Sequence, residues 1–253
     1  MATPGFPSIV LVTGGSRGIG AAVARLAAAR GAAICLSYRS RGEAAETVAT
    51  EIQGRGGRAV AVQADVAIEA DVVRLFETCD RALGPVTGLV NNAAVLETQM
   101  RVEAMDAARI TRILATNVVG PFLCAREALR RMSTKHGGPR GAIVNVSSAA
   151  ARIGSPNEYV DYAASKGALD TFTIGLAQEV AQEGVRVNGV RPGFIYTEMH
   201  ASGGEPGRVD RVKAFVPMRR GGQPEEVAES VVWLLSDASS FTTGAFIEVA
   251  GGR

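Results

Sequence analysis

The chain has 253 residues, 47% of them hydrophobic and 21% charged, with 30 glycines and a formal net charge of +2. That is enough apolar material for a buried core and excludes disordered, collagen-like and low-complexity classes. The small, dispersed charge gives no footprint for nucleic acid or an anionic membrane, and neither partner is expected. Three widely spaced cysteines (Cys35, Cys79 and Cys124) suit reduced thiols better than a disulfide framework. The N-terminus, MATPGFPSIV, has neither a basic leader nor a long apolar segment, and a cytoplasmic location is expected. Only His136 and His200 are present, so a histidine metal cluster and a Ser/His/Asp triad both lose weight, and no metal is expected.

In chain order, short β-branched runs alternate with stretches of helical period. SIVLVTG precedes GIGAAVARLAAARG, AAICLSY precedes GEAAETVATEIQGRG, and RAVAVQADV precedes EADVVRLFETCDRAL. The rhythm continues through VTGLVNNA, a long helical region to about Met132, GAIVNVSS, a helix through YVDYAASKGAL, VRVNGVRPG, a helix near 224–235, and GAFIEVAGG. Seven largely apolar strands joined by helices predict an α/β fold. It is a Rossmann-type, doubly wound parallel sheet of about seven strands with helices on both faces, in a single domain over 1–253. The irregular stretch from about Ile195 to Gly222 exceeds ordinary loop length and predicts a substrate lid or short helices, with Met199, His200, Phe215 and Met218 as candidate lining residues.

The first strand runs into Thr13-Gly14-Gly15-Ser16-Arg17-Gly18-Ile19-Gly20 and directly into a helix. Gly14, Gly18 and Gly20 permit a sharp turn, close approach to a pyrophosphate and tight helix packing, while the helix start offers N–H groups to the anion. No Gly-Lys-Ser/Thr follows, which speaks against a nucleoside-triphosphatase loop. The second strand ends in Ser37-Tyr38-Arg39-Ser40-Arg41, with arginines where an NAD-binding domain usually has an acid. Arg17 and Arg39 are therefore candidates for a 2′-phosphate, and NADP(H) is expected ahead of NAD(H).

In YVDYAASKGAL, Tyr162 has Lys166 one helical turn further on, whereas Tyr159 has Ala163 there. With four tyrosines and three lysines in the chain, about 0.05 such pairs are expected by chance.

The ordered set TGGSRGIG, Asp65-Val66, Asn91-Asn92-Ala93-Ala94, Asn117, Ser147-Ser148, YAASK, Arg191-Pro192-Gly193 and Thr197 resembles the short-chain dehydrogenase/reductase family over essentially the whole chain. The resemblance implies a nicotinamide cofactor, a carbonyl or alcohol substrate, and a catalytic tetrad of Asn117, Ser148, Tyr162 and Lys166. In that reading Tyr162 is the general acid/base, with its phenolate stabilised by the Lys166 ammonium, and Ser148 holds the substrate oxygen. Asn117 would help to hold a proton-relaying water. Cofactor contacts are implied at Gly14, Ser16, Arg17, Gly18, Ile19, Gly20, Tyr38, Arg39, Ser40, Asp65, Val66, Asn91, Ala93, Pro192, Gly193, Ile195 and Thr197. A homotetramer or homodimer is expected by analogy. Ser148 and Tyr162 are fourteen residues apart, one more than is usual in the family, and the turn from Gly154 to Glu158 is where an extra residue would fit. The competing reading is a non-catalytic nucleotide-sensing or scaffold protein with the same fold, against which the intact tetrad argues.

Overall fold

The structure, a computed structural model, describes residues 5–253. Strand β1 (Ile9–Val12) leads into α1 (Gly18–Ala29), β2 (Ala33–Tyr38), α2 (Gly42–Gly54), β3 (Ala59–Gln63), α3 (Glu69–Ala82) and β4 (Gly88–Asn91). Then come α4 (Ala107–Leu114), a π-helical turn (Ala115–Val119), α5 (Gly120–Met132), β5 (Gly141–Val146), α6 (Ala150–Ile153) and α7 (Val160–Val180). The chain finishes with β6 (Val185–Pro192), α8 (Met199–Ser202), α9 (Arg208–Val212), α10 (Pro224–Leu235) and β7 (Phe246–Val249). All seven expected strands are present, in one parallel sheet of order β3-β2-β1-β4-β5-β6-β7.

Side chains alternate across a strand, so each apolar strand feeds two cores. Val10 and Val12 face one layer, with residues of α1, α2 and α10. Ile9 and Leu11 face the other, with residues of α3, α5 and α7. Because both faces are covered, strands such as IVLV are buried throughout instead of alternating apolar and polar.

The order reverses at β1, whose neighbours are β2 and β4. Crossovers leave β1 and β4 toward opposite faces, and the crevice beyond their C-terminal ends is where such sheets bind ligands. Asn92 braces that crevice. Its Nδ2 donates to the carbonyl oxygens of Thr13 (2.9 Å) and Gly14 (3.0 Å), while Thr13 Oγ1 accepts from the Asn92 and Ala93 amides, each at 3.0 Å. A buried polar chain ties the strands to α7. Asn91 Nδ2 donates to Asn145 Oδ1 (2.9 Å), and Asn145 Nδ2 donates to Thr173 Oγ1 (2.8 Å).

The irregular stretch after β6 is an excursion whose ends meet. Ile195 and Gly222 form a β-bridge, with Tyr196 N donating to Gly222 O (3.0 Å) and Gly222 N to Phe194 O (2.9 Å). Between them lie α8 and α9, so short helices fill the segment as expected.

Candidate active site

The turn between β1 and α1 is shaped by its glycines. Gly14 and Gly18 have φ of +64° and +52°, a region that disfavours side chains. A Cβ at Gly14 would come within 3.0 Å of the Ala93 backbone. Helix α1 has no side-chain cap at its N-terminus and no acid in its first turn, which leaves its opening N–H groups to an anion.

Beyond this turn lies a trough of about 680 Å³ lined by Gly14, Ser16, Arg17, Gly18 and Ile19, by Tyr38, Arg39, Ser40 and Arg41, by Asp65 and Val66, and by Ala93 and Thr197. Arg17, Arg39 and Arg41 have no side-chain hydrogen bond or ion pair among the described residues. This trough fits a dinucleotide carrying a 2′-phosphate: a turn open to a diphosphate is followed by three arginines without acidic partners.

A second cavity, of about 510 Å³, adjoins the first and shares Ile19, Asn92, Ala94, Leu96, Thr197 and Met199 with it. Ser148, Tyr162 and Lys166 converge in its wall. Lys166 Nζ donates to Val146 O (2.7 Å) and lies 5.6 Å from the centre of the Tyr162 ring. Ser148 Oγ accepts from Ala150 N at 3.1 Å and is near enough to favour the Tyr162 phenolate, whereas Ser147 is buried and turned toward the Lys166 carbonyl at 3.4 Å; both serines line the cavity.

A family model described as enoyl-(acyl carrier protein) reductase matches residues 14–253. The uncharacterized oxidoreductase YgfF of Escherichia coli (strain K12) is 60% identical, over 97% of this chain and 100% of its own. The cis-4-hydroxycyclohexanecarboxylate dehydrogenase of Sinomonas cyclohexanicum is 38% identical over 96% of this chain and 95% of its own. A blue fluorescent protein from a metagenomic library, solved in complex with NADPH, superposes with a TM-score of 0.88 at 34% identity, covering 97% of each chain. The chain belongs to the short-chain dehydrogenase/reductase family.

Within this short-chain dehydrogenase/reductase, the expected sites divide between the two cavities. Pro192, Gly193 and Ile195 line the catalytic cavity and not the dinucleotide trough, and Thr197 lines both. Three of the expected site residues lie outside the linings of both cavities. Gly20 lies behind the turn, where a Cβ would sit 2.4 Å from Gly14 O, so it serves helix packing and not cofactor contact. Asn91 is buried and bonded to Asn145, while its neighbour Asn92 faces both cavities. The doubled asparagine is the signal for that position, but the strand parity that turns one inward and the other outward needs the register. Asn117 lines neither cavity. Its Oδ1 accepts from Val95 N (2.8 Å), and its Nδ2 donates to Val95 O (3.0 Å) and to Ser165 Oγ (3.1 Å). Ser165 donates in turn to Tyr162 O (2.7 Å). Asn117 is therefore a positioning residue, held in a π-helical turn of the kind frequent at functional sites.

Gly154, Ser155 and Asn157 have φ of +73°, +45° and +63°, and two of these are non-glycine residues in a sparsely populated region. Tyr159, the rival tyrosine, is buried, and its hydroxyl donates to Gly203 O (3.0 Å) at the end of α8. It secures the excursion after β6, and both Tyr159 and Tyr162 line the cavity. Of the candidate lining residues, Met199, His200 and Phe215 face the catalytic cavity, and Met218 lines a separate pocket with Val216 and Gly251.

Burial dominates the electrostatics. It pushes the Tyr162 phenol up to about 12, against the opposing pull of Ser148. It also brings Lys166 down to about 8, against the attraction of Asp170. With the protein's own groups, Tyr162 is thus a protonated phenol at neutral pH. Removing the phenolate from water outweighs the pull of Ser148, and the expected acidity relies on the oxidised nicotinamide as well as on Lys166. Among the described residues no group of three or more His, Cys, Asp or Glu side chains is placed to hold a metal ion. No helix among them is long and apolar enough to cross a membrane.

Proposed function

We propose that this oxidoreductase uses NADP(H) to interconvert a small carbonyl compound and its alcohol, with Tyr162 as general acid/base. The observation that carries the reading is the convergence of Ser148, Tyr162 and Lys166 on a cavity that opens into an arginine-lined trough. The nicotinamide, when bound, supplies or accepts the hydride.

In reduction, the protonated Tyr162 phenol donates its proton to the carbonyl oxygen, and Ser148 donates a hydrogen bond to the same oxygen as charge develops there. In oxidation, Tyr162 accepts the alcohol proton. Lys166 holds positive charge beside the phenol below its pKa of about 8 and so favours the phenolate left by reduction. Asn117 orients this machinery through Ser165. The family's nicotinamide chemistry and a neighbour solved with NADPH support the cofactor class, and the unpaired Arg17, Arg39 and Arg41 support NADP(H) over NAD(H).

The excursion between 195 and 222 acts as the substrate lid. The half-exposed Phe122 on α5 and Ile174 on α7 offer apolar surface for association, consistent with a homotetramer or homodimer. A cytoplasmic location agrees with three unpaired, buried cysteines.

The test is titration with NADPH and NADH, followed by cofactor-linked turnover on a panel of ketones, acyl thioesters and sugars. Tighter binding of NADPH and turnover of at least one carbonyl class are expected. Equal affinity for the two cofactors would remove the arginine argument, and an inert panel would remove the reaction.

A further inference from the structure

The catalytic cavity has a charged residue in its wall that proton transfer does not use. Arg208, the first residue of α9, is 6% exposed. Its guanidinium lies 4.7 Å from the Tyr159 ring centre and 5.5 Å from that of Phe194. Nη2 donates to Glu158 Oε2. Nη1 is buried without an acceptor, and Glu205 Oε2 stands 3.7 Å away, too far for a hydrogen bond. An unsatisfied N–H on a buried cation is costly and uncommon in folded proteins.

The setting indicates what would satisfy it. Arg211 and Arg253 also line the cavity, with Arg253 lying 4.8 Å over the Phe194 ring, while Glu158 is the acid in the lining. Glu158 and Glu205 form ion pairs with Arg208 and Arg211. Ile153, Phe194, Met199 and Phe215 supply apolar surface for a carbon skeleton. His200 is the second lining residue with an unsatisfied buried atom, Nδ1. Its Nε2 faces Ile195 O at 3.0 Å and so carries the ring proton, and burial lowers the imidazole pKa. Nδ1 is therefore an acceptor, suited to a water or a hydroxyl and not to an anion.

We propose that the substrate carries a carboxylate, received by Arg208 Nη1 while its carbonyl carbon lies at Tyr162 and Ser148. The proposal rests on the oxidoreductase reading and adds the substrate class. A guanidinium N–H toward a carboxylate is a charge-assisted hydrogen bond in a water-poor cavity. A neutral ester in the same place keeps the acceptor and loses the charge.

The test uses ring probes sized for a cavity of about 510 Å³. The NADP⁺-loaded protein is titrated calorimetrically with cyclohexanecarboxylate and with its methyl ester. In parallel, kcat/KM with NADPH is measured for 4-oxocyclohexanecarboxylate and for its methyl ester. The acid is expected to exceed the ester by about tenfold or more in both measurements. In Arg208→Met that ratio falls to about one, and Arg208→Lys retains part of it. Should Arg208→Met fail to fold, Arg208→Lys decides: an acid-to-ester ratio unchanged from the unaltered protein would overturn the assignment to Arg208. Equal binding and turnover of acid and ester, or a preference for the ester, would overturn the carboxylate. Turnover of both ketones without an acid preference leaves the oxidoreductase reading standing. Acid-selective binding with no turnover of these ketones or of the wider panel supports the anion site and removes the proposed carbonyl reaction instead.

Discussion

Replacing Arg109 by methionine tests how the catalytic helix is held. Arg109 on α4 reaches Asp161 on α7, the residue before Tyr162. Its Nε donates to Asp161 Oδ2 at 2.7 Å, and its Nη1 donates to Thr98 O at 2.7 Å. Both side chains of the pair are 3% exposed, and Asp161 Oδ1 accepts the Tyr162 backbone N–H at 2.9 Å. Methionine approximates the length of the arginine stem but leaves the Asp161 carboxylate buried without its counter-charge. Breaking a buried pair in this way costs about 3–5 kcal/mol. A loss of about 4 kcal/mol lowers the folded-to-unfolded ratio roughly a thousandfold, a large share of a domain's stability of about 5–15 kcal/mol. The assay is urea unfolding at a fixed protein concentration, comparing midpoints at unchanged slope. The double variant Arg109→Met/Asp161→Asn removes the orphaned charge and is expected to recover most of the loss. A cost below about 1 kcal/mol for Arg109→Met, or a double variant no more stable than the single one, would refute the buried-charge argument.

Tyr162→Phe is expected to bind NADPH like the unaltered protein and to lose about 10²–10⁴ in kcat, read from fluorescence titration and steady-state kinetics; retained turnover would remove the proposed proton donor. The raised pKa of Tyr162 gives opposite pH signatures in the two directions. The acid form prevails well below about 12, so reduction is expected to stay level from pH 6 to about 7 and to fall as Lys166 loses its charge through about 8, while oxidation, which needs the phenolate, climbs by up to about tenfold per pH unit until Lys166 titrates. A level oxidation profile would count against Tyr162 as the base. Arg39→Asp places an acid where a ribose hydroxyl would be read and removes a cation, so the ratio of NADPH to NADH affinity should fall by about tenfold or more, measured by titration at one ionic strength.

Much of the site was legible because it depends on local chemistry. The spacing of Tyr162 and Lys166 is set by one helical turn, and Gly14 and Gly18 adopt the left-handed backbone that their residue type permits. The arginines at the end of β2 were visible as residue types, and the structure adds that Arg17, Arg39 and Arg41 lack partners in the trough. Less legible were residues whose role depends on orientation. Asn91 and Asn92 are adjacent and chemically identical, yet the pleat of β4 turns the first to Asn145 and leaves the second to clamp Thr13 and Gly14. Asn117 was expected to help hold a proton-relaying water, and only the packing shows that its amide is taken up by Val95 and Ser165.

By itself, the sequence determined the alternation of strands and helices, the anion-accepting turn and the tyrosine-lysine pair, since each follows from period, residue size and charge over a few neighbouring positions. Only the tertiary structure decided that Tyr159 secures the segment after β6 and that Arg208 lies buried with an unsatisfied N–H. The same packing decided the proton's resting place. The loss of water around Tyr162 and Lys166 raises one pKa and lowers the other, and desolvation arises from residues far apart in the chain that close over both groups.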